Sequence, residues 1–198
     1  MRQRLVAASL PEDAAVGDLG SGSGDALAAL LSNSAATGVG IDLSVAAGHL
    51  AARRFPALTW VIANADRRLP LAPNRLSFLI SLHARRNPAE CARVLAPNGL
   101  LFVAIPAPDD LIELRSLVQG KGVERSRVDA VLNDHEPLFK PIEQFSTREH
   151  HQLSRESLLD LLHTTYRGAR TSTNARVAML SSMDVTVASD CVVFQRRT

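Results

Sequence analysis

Short apolar runs alternate with amphipathic segments along most of the chain. The apolar runs, bounded by Gly, Pro and Asn, predict strands, and the segments between them predict helices. The predicted strands are residues 14–19, 38–41, 58–63, 76–82 and 100–105, and the predicted helices are residues 25–31, 44–54, 89–95, 111–118 and 155–166. This alternation is typical of a doubly wound α/β fold with a mostly parallel sheet.

The end of the chain predicts a different arrangement of strands. Residues 183–187 and 191–195 are two β runs on either side of Ala188-Ser189-Asp190. We expect them to form an antiparallel hairpin that brings the sheet to seven strands. Residues 137–153 contain Glu149-His150-His151, but the spacing is wrong for a helical two-histidine metal site, so we interpret them as a solvated polar face.

Two segments fall outside this pattern. Residues 1–10 have the character of the last turns of a helix that Pro11 closes. Residues 119–127 are rich in glycine and charge, which predicts a segment that is mobile or becomes ordered only on binding.

The most informative stretch is residues 16–25, VGDLGSGSGD, which leaves the first predicted strand. Gly20, Gly22 and Gly24 alternate along it, and glycine lets the backbone take positive φ angles and approach a ligand closely. The helix predicted to begin at Asp25 would direct its unpaired N–H groups back at this loop. The stretch is therefore predicted to bind a cofactor, the alternative being a loop whose glycines serve flexibility alone.

Residue identity narrows the choice of cofactor. A dinucleotide loop requires a third glycine where this chain has Asp25, and a phosphate loop ends in Gly-Lys-Ser/Thr, whereas this stretch contains no lysine. The remaining arrangement resembles the first motif of class I S-adenosylmethionine (SAM) methyltransferases. The resemblance implies that Asp18 receives the amino acid end of SAM. The loop residues that would make room for SAM are Gly20, Ser21, Gly22 and Gly24.

A second motif follows the second predicted strand. Asp42 ends an apolar run, and an acid at that place in a parallel sheet can accept both ribose hydroxyls of an adenosine. Asp42 could instead cap the next helix, a role that Ser44 can also fill. Leu43, beside Asp42, is predicted to contact the cofactor as well.

Two later strand ends extend the candidate site. Asn64, Ala65 and Asp66 follow the third predicted strand, where such enzymes bind the adenine edge, although Asp66 can equally form a turn. Residues 83–88 follow the fourth strand. Because ligands bind beyond the carboxyl ends of the strands in open α/β sheets, these residues are expected to face the transferred methyl group.

Composition limits the alternatives. With 198 residues and 46% hydrophobic content, the chain is predicted to form one domain, residues 1–198. The net charge of +2 does not by itself argue for a nucleic acid partner. Cys91 and Cys191 lack the spacing of a disulfide framework or a zinc site, so we expect reduced thiols and no metal. The pattern contains neither a signal segment nor a membrane span, which predicts a cytoplasmic protein without membrane contact.

Nearly the full length resembles the bacterial 23S rRNA guanine-N1 methyltransferases. The resemblance implies a seven-stranded Rossmann-like methyltransferase sheet, SAM as cofactor and rRNA as substrate. The Pro-x-Pro followed by Leu-Ile-Glu-Leu and the helix-turn after the fourth strand are the more particular matches. The matching segments are residues 17–24, 40–44, 52–56, 69–70, 90–99, 106–108, 111–114 and 194–196.

The chain departs from that family in three places. The family has an N-terminal zinc-binding module for RNA, whereas this chain has no cysteines there and begins almost at the first strand, so we expect a naturally short version or a fragment. After the fourth strand the family tends to show an aromatic residue, Ala and Pro, where this chain has His83, Ala84 and Arg85. Residues 122–125 replace a histidine-bearing segment. The departures affect the substrate side and leave the cofactor motifs intact.

The expected chemistry assigns roles to several side chains. Methyl transfer requires alignment of the reactants, and a guanine N1 must also lose its proton. His83 or Asp109 could accept this proton, although His83 could equally be a structural histidine. Arginines that could meet phosphate are Arg85 and Arg86, with the pairs Arg53-Arg54 and Arg67-Arg68.

Three functions remain open from the sequence. The first is an RNA methyltransferase that binds rRNA weakly unless a separate RNA-binding module is added. The second is a small-molecule methyltransferase, and the third is a SAM-binding domain with little activity. The aromatic content of 4% limits stacking on bases and counts against the first.

Overall fold

The computed structural model describes residues 14–119, 125–165, 177 and 179–197. In this part of the chain seven strands form one sheet in the order β3-β2-β1-β4-β5-β7-β6. The strands are β1 Ala15–Leu19, β2 Thr37–Asp42, β3 Thr59–Ile62, β4 Leu76–Leu82, β5 Leu95–Pro106, β6 Phe139–Ser154 and β7 Ser182–Arg196. The helices are α1 Asp25–Leu31, α2 Val45–Arg54, α3 Pro88–Val94, α4 Ile112–Gln119, α5 Val128–His135 and α6 Arg155–Thr165.

The first five strands form the parallel half of the sheet. β1 pairs with β2 on one side and with β4 on the other, while β3 and β5 extend the two sides. The chain therefore reverses its direction of winding between β1 and β4, which is where ligands bind in open α/β sheets. Most residues of β1 and β4 are buried, which explains their nearly uninterrupted apolar sequences. The predicted doubly wound α/β fold is confirmed.

The antiparallel strands are present, but their residues differ from those of the predicted hairpin. Residues 182–196 form the single strand β7, with no turn at residues 188–190. The amide of Ala107 donates to the carbonyl of Ala188, and that of Leu111 to Thr186. Partner numbers thus fall as chain numbers rise, as they do between antiparallel strands.

The remaining strand, β6, comes from the segment that the sequence predicted to be only a solvated face. Most of its residues are exposed, because it lies at the edge of the sheet. It also contains Pro141 and several charges, which protect an edge strand from pairing with other chains. An exposed edge strand has no apolar alternation, so the hydrophobic pattern did not reveal it.

The chain divides into two compact units. Among the described residues, the first holds 14–105, 127–145 and 191–197, and the second holds 106–119, 125–126, 146–165, 177 and 179–190. The first unit has buried clusters around Leu79 and Phe102, and the second has a cluster around Leu114 and Leu158. The single domain expected for residues 1–198 stays a prediction.

Some sequence predictions fall on residues that the structure does not describe, whereas those on the cysteines and on membrane spans can be compared with the described residues. The predicted helix at residues 1–10 and residues 120–124 of the predicted mobile segment lie outside the described residues. Both cysteines are buried free thiols. Within the described residues, no helix combines the length and apolar character needed to cross a membrane.

Candidate active site

The glycine loop leaves β1 at the reversal point of the sheet. Gly20, Gly22 and Gly24 have φ angles of 71°, 54° and 86°, which residues with a Cβ adopt only with strain. The amides of Gly20 and Ser21 donate to the carbonyl of Ile41, at 2.8 and 3.2 Å. The loop therefore turns over the carboxyl end of β2.

The three glycines serve different purposes. A Cβ at Gly20 would collide with the side chain of Ala84, and one at Gly24 would lie 2.5 Å from the ring of Trp60. A Cβ at Gly22 would meet no atom within 4 Å. Gly20 and Gly24 are thus required by packing, whereas Gly22 borders open space that a ligand can fill.

Asp18 is a buried carboxyl group below this loop. Its side chain is 2% exposed, and its Oδ2 has no hydrogen-bond partner among the described residues. Burial, together with the nearby charge of Asp42, raises the pKa of Asp18 to about 7. A buried polar atom without a partner is rare in folded proteins and suits a ligand that brings a donor, as the amino group of SAM would.

Asp42 connects the glycine loop to the helix that follows β2. Its Oδ2 accepts from the amide of Gly22 and its Oδ1 from the amide of Ser44, each at 2.8 Å. The Ser44 hydroxyl caps α2 by accepting from Ala47 at 3.2 Å. Because Ser44 supplies the cap and each carboxylate oxygen has a second lone pair, Asp42 can still accept ribose hydroxyls.

Apolar and polar groups surround the ends of β2 and β3. Leu43 and Ile62 are 67% and 46% exposed, so they offer apolar surface to a base. The side chain of Asn64 accepts from the amide of Asp66 at 2.8 Å, which forms a turn led by Asn64. The carboxylate of Asp66 lies 3.4 Å from Arg85.

The two arginines of the loop after β4 lie in different environments. The Arg85 side chain is 89% exposed, whereas Arg86 turns inward and donates to the carbonyl of Ala84 and to His135. His83 is exposed and has a φ of 53°, a strained angle that functional residues often adopt. Of the two arginines in this loop that were predicted to bind phosphate, only Arg85 presents its cation to solvent.

Asp109 belongs to the second unit and is part of an ion pair there. Both of its carboxylate oxygens accept from Arg148, at 2.6 and 2.8 Å. This pairing lowers the pKa of Asp109, which makes it a weaker proton acceptor. The catalytic roles of His83 and Asp109 stay predictions.

The first unit as a whole fits SAM. It offers an unpartnered carboxyl oxygen at Asp18, open space beside Gly22 and spare lone pairs on Asp42. Sequence reasoning missed Trp60, which packs against Gly24 and Gly40 and fixes the shape of the loop. The single tryptophan of the chain was the available signal.

Residues 16–99 match the family described as "Methyltransferase domain". The chain is 34% identical over 171 residues to a putative 23S rRNA (guanine-N(1)-)-methyltransferase of Micromonospora griseorubida, covering 83% of this chain and 57% of the relative. It is 30% identical over 157 residues to the 23S rRNA (guanine(748)-N(1))-methyltransferase of Streptomyces fradiae, covering 79% and 55%. The chain thus spans little more than half the length of these relatives.

Solved structures share the fold at low sequence identity. A putative methyltransferase of Bacillus halodurans matches with a TM-score of 0.70 at 14% identity, covering 100% of this chain and 99% of that one. A geranyl diphosphate methyltransferase in complex with SAM matches with a TM-score of 0.62 at 12% identity, covering 100% and 84%. These structures show the fold alone. The methyltransferase domain matched at residues 16–99 and the relatives named methyltransferases, together with the glycine loop and Asp42, support a class I SAM-dependent methyltransferase.

Proposed function

We propose that this chain transfers the methyl group of SAM to N1 of a guanine in 23S rRNA. The similarity to relatives named for this activity, over 83% of this chain, carries the proposal. SAM supplies an electrophilic methyl group when it is bound. The protein's task is then to align two substrates and to accept one proton, since direct displacement needs no covalent intermediate with the enzyme.

In this proposal two carboxylates, the residues around the base and one open space orient the cofactor. Asp18 holds the amino acid end through its unpartnered Oδ2, and Asp42 holds the ribose. The open side of Gly22 admits the ligand close to the backbone. Leu43 and Asn64 flank the base, together with Ala65 and Asp66.

The acceptor base requires a group that removes the proton from N1. His83 is exposed on the loop after β4, which puts an imidazole beyond the end of a central strand. Asp109 is the second candidate, but its lowered pKa makes it the weaker base. We therefore assign to His83 the role of accepting the N1 proton of the guanine.

Exposed arginines supply the contact with RNA. Arg67 and Arg68 follow β3, and Arg85 follows β4. The two loops are joined, because the side chains of Arg85 and Asn87 both bond to Asp66. This brings three exposed cations together, an arrangement suited to phosphate. Arg86, also predicted to bind phosphate, would have to leave its inward contacts to do so.

The proposal also covers the location and the domain organisation of the protein. It places the protein in the cytoplasm as one working domain, residues 1–198. The low aromatic content of 4% limits stacking on bases, so in this proposal RNA binding is weak unless a separate RNA-binding module is added.

Transfer of tritium from labelled SAM to 23S rRNA transcripts tests the proposal, with and without an added RNA-binding partner. Mass spectrometry of the digested RNA then locates the methyl group. We expect label on guanine N1. Transfer only to small molecules, or SAM binding without any transfer, would contradict the proposal and favour the two other functions.

The RNA contact has its own test in a salt series. Arg85→Ala should weaken hairpin binding across sequences and reduce the slope of log affinity against log salt by about 1. Lys140→Ala is the matched control, since Lys140 is an exposed cation on the edge strand β6. Equal slopes for the parent and Arg85→Ala would remove Arg85 from the RNA contact.

A further inference from the structure

Arg86 forms an inward connection behind the loop that follows β4. Its Nε donates to Nε2 of His135 at 3.3 Å, and its Nη1 donates to the carbonyl of Ala84 at 3.1 Å. Arg86 and His135 are 49 positions apart in the chain and both belong to the first unit. The contact therefore joins the loop to the end of α5.

His135 is held in one orientation and one tautomer. Its side chain is 2% exposed, and its ring stacks on Phe194 with centroids 4.8 Å apart. Nδ1 lies 2.7 Å from the carbonyl of Val131, which only accepts, so Nδ1 carries the proton. Nε2 is then a lone-pair acceptor for Arg86. Burial lowers the pKa of His135 to about 4, which keeps the ring neutral near pH 7.

The Ala84 carbonyl is the point through which Arg86 acts on the loop. It also receives the Ser81 hydroxyl, at 3.4 Å, so the loop closes on itself. Between these contacts His83 holds its φ of 53°, a strained conformation that persists only where neighbours impose it. The side chain of Ala84 also occupies the space beside Gly20 of the cofactor loop.

We infer that His135 is a positioning residue for the acceptor side of the site, fixing Arg86 and, through it, the loop that carries His83 and Arg85. The link turns one arginine inward and leaves the other exposed. It also sets the distance between the strained loop and the glycine loop. The inference depends on the proposed function for its catalytic meaning, but the loop geometry can be measured without any substrate.

Two substitutions at His135 separate the hydrogen bond from the packing. His135→Phe keeps the aromatic ring between Phe194 and Phe139 and removes the acceptor. His135→Gln gives up the ring but keeps an acceptor at the position of Nε2. Arg86→Lys is a third variant, because an ammonium group cannot donate to His135 and Ala84 through a planar fork.

Amide hydrogen exchange of the full chain is the first measurement. We expect residues 83–86 to exchange about tenfold faster in His135→Phe, the size of the loss of one buried hydrogen bond, with β1 unchanged. His135→Gln should return the rate toward that of the parent, and Arg86→Lys should behave like His135→Phe. Unchanged exchange at residues 83–86, or equally faster exchange throughout the first unit, would overturn the inference.

Turnover is the second measurement and separates this inference from the proposed function. If the parent methylates RNA, His135→Phe should lower kcat about tenfold at an unchanged Kd for SAM, and His135→Gln should recover most of it. Normal kcat in His135→Phe would overturn the positioning role. If the parent methylates no RNA while the exchange pattern appears as expected, the proposed function fails and the loop link stands.

Discussion

The backbone amide of Gly22 donates a hydrogen bond to Oδ2 of Asp42 across 2.8 Å. This bond joins the loop after β1 to the end of β2, and the other carboxylate oxygen accepts from Ser44. Asp42 therefore shapes the glycine loop, and it keeps the lone pairs with which, in the proposed function, it holds a ribose. The two sequence motifs that indicated SAM are parts of one hydrogen-bonded structure.

Asp42→Ala should weaken SAM binding. The substitution removes the acceptor of two backbone amides and of the ribose hydroxyls, a loss of about 1–3 kcal/mol, or roughly 5- to 150-fold in Kd. Calorimetric titration with SAM and S-adenosylhomocysteine measures it. Asp25→Ala is the matched control, since Asp25 lies beside the loop but pairs with the exposed Arg54, and its Kd should change by less than about threefold. A parent-like Kd in Asp42→Ala would remove Asp42 from the cofactor site.

Substitutions of the glycines should separate ligand binding from folding. Gly22→Ala adds a methyl group in open space at a positive φ, so it should cost about 1–2 kcal/mol of stability and strongly reduce SAM affinity. Gly24→Ala should lower the melting temperature much further, because its Cβ meets Trp60. Thermal melts and SAM titrations of both variants provide the comparison. Normal SAM affinity in Gly22→Ala would show that the ligand does not use that space.

Asp18 should make the stability of the protein without ligand depend on pH. Its pKa is about 7 in the folded protein against 3.8 in an unfolded chain. Between these values the folded state keeps a proton that the unfolded state has lost, so this group lowers stability as pH rises from about 4 to about 7 and adds no further change above. At about 1.4 kcal/mol per pH unit, the effect is roughly 4 kcal/mol at most.

Urea unfolding of the parent and of Asp18→Asn at pH 5, 6, 7 and 8 isolates this effect, since other groups titrate equally in both. The parent should lose stability relative to Asp18→Asn across pH 5 to 7. Because a bound amino group favours the carboxylate, SAM affinity of the parent should rise over the same range. Identical pH profiles would show that Asp18 keeps an ordinary pKa.

Glu90 should contribute stability away from the ligand. Its carboxylate accepts from the amide of Leu69 at 2.8 Å and from Arg93 at 2.6 and 2.8 Å, while Arg93 also donates to the carbonyls of Leu69 and Leu71. The pair thus holds the segment before β4 against α3. Glu90→Ala should cost about 1–3 kcal/mol in urea unfolding, because the amide and the guanidinium lose their acceptor.

Glu136→Ala is the control for Glu90, since its contact with Arg197 is 3.6 Å long and exposed. We expect this variant to stay within about 0.5 kcal/mol of the parent. Under conditions where both variants are fully folded, their Kd for SAM should be the same. Equal stability of the two would show that the Glu90 contacts add nothing beyond a surface ion pair.

The sequence by itself determined the parallel half of the sheet and the cofactor motifs. Buried strands such as β4 are marked by continuous apolar runs, because burial on both faces requires apolar side chains at nearly every position. The sequence also predicted the glycine loop and Asp42. Few residue types adopt positive φ angles without strain, and few have side chains that accept hydrogen bonds. These requirements are local, so a single chain displays them.

The tertiary structure decided what depends on partners distant in sequence. β6 is a strand because its backbone pairs with β7. Its side chains are mostly exposed, so no hydrophobic pattern in the sequence predicts the strand. Arg85 and Arg86 are adjacent and chemically identical, yet one faces solvent while the other meets His135. The raised pKa of Asp18 likewise arises from burial and from Asp42, neither of which its own neighbours in the chain specify. Folding assigns different roles to similar residues, since burial and charge are set by what packs around them.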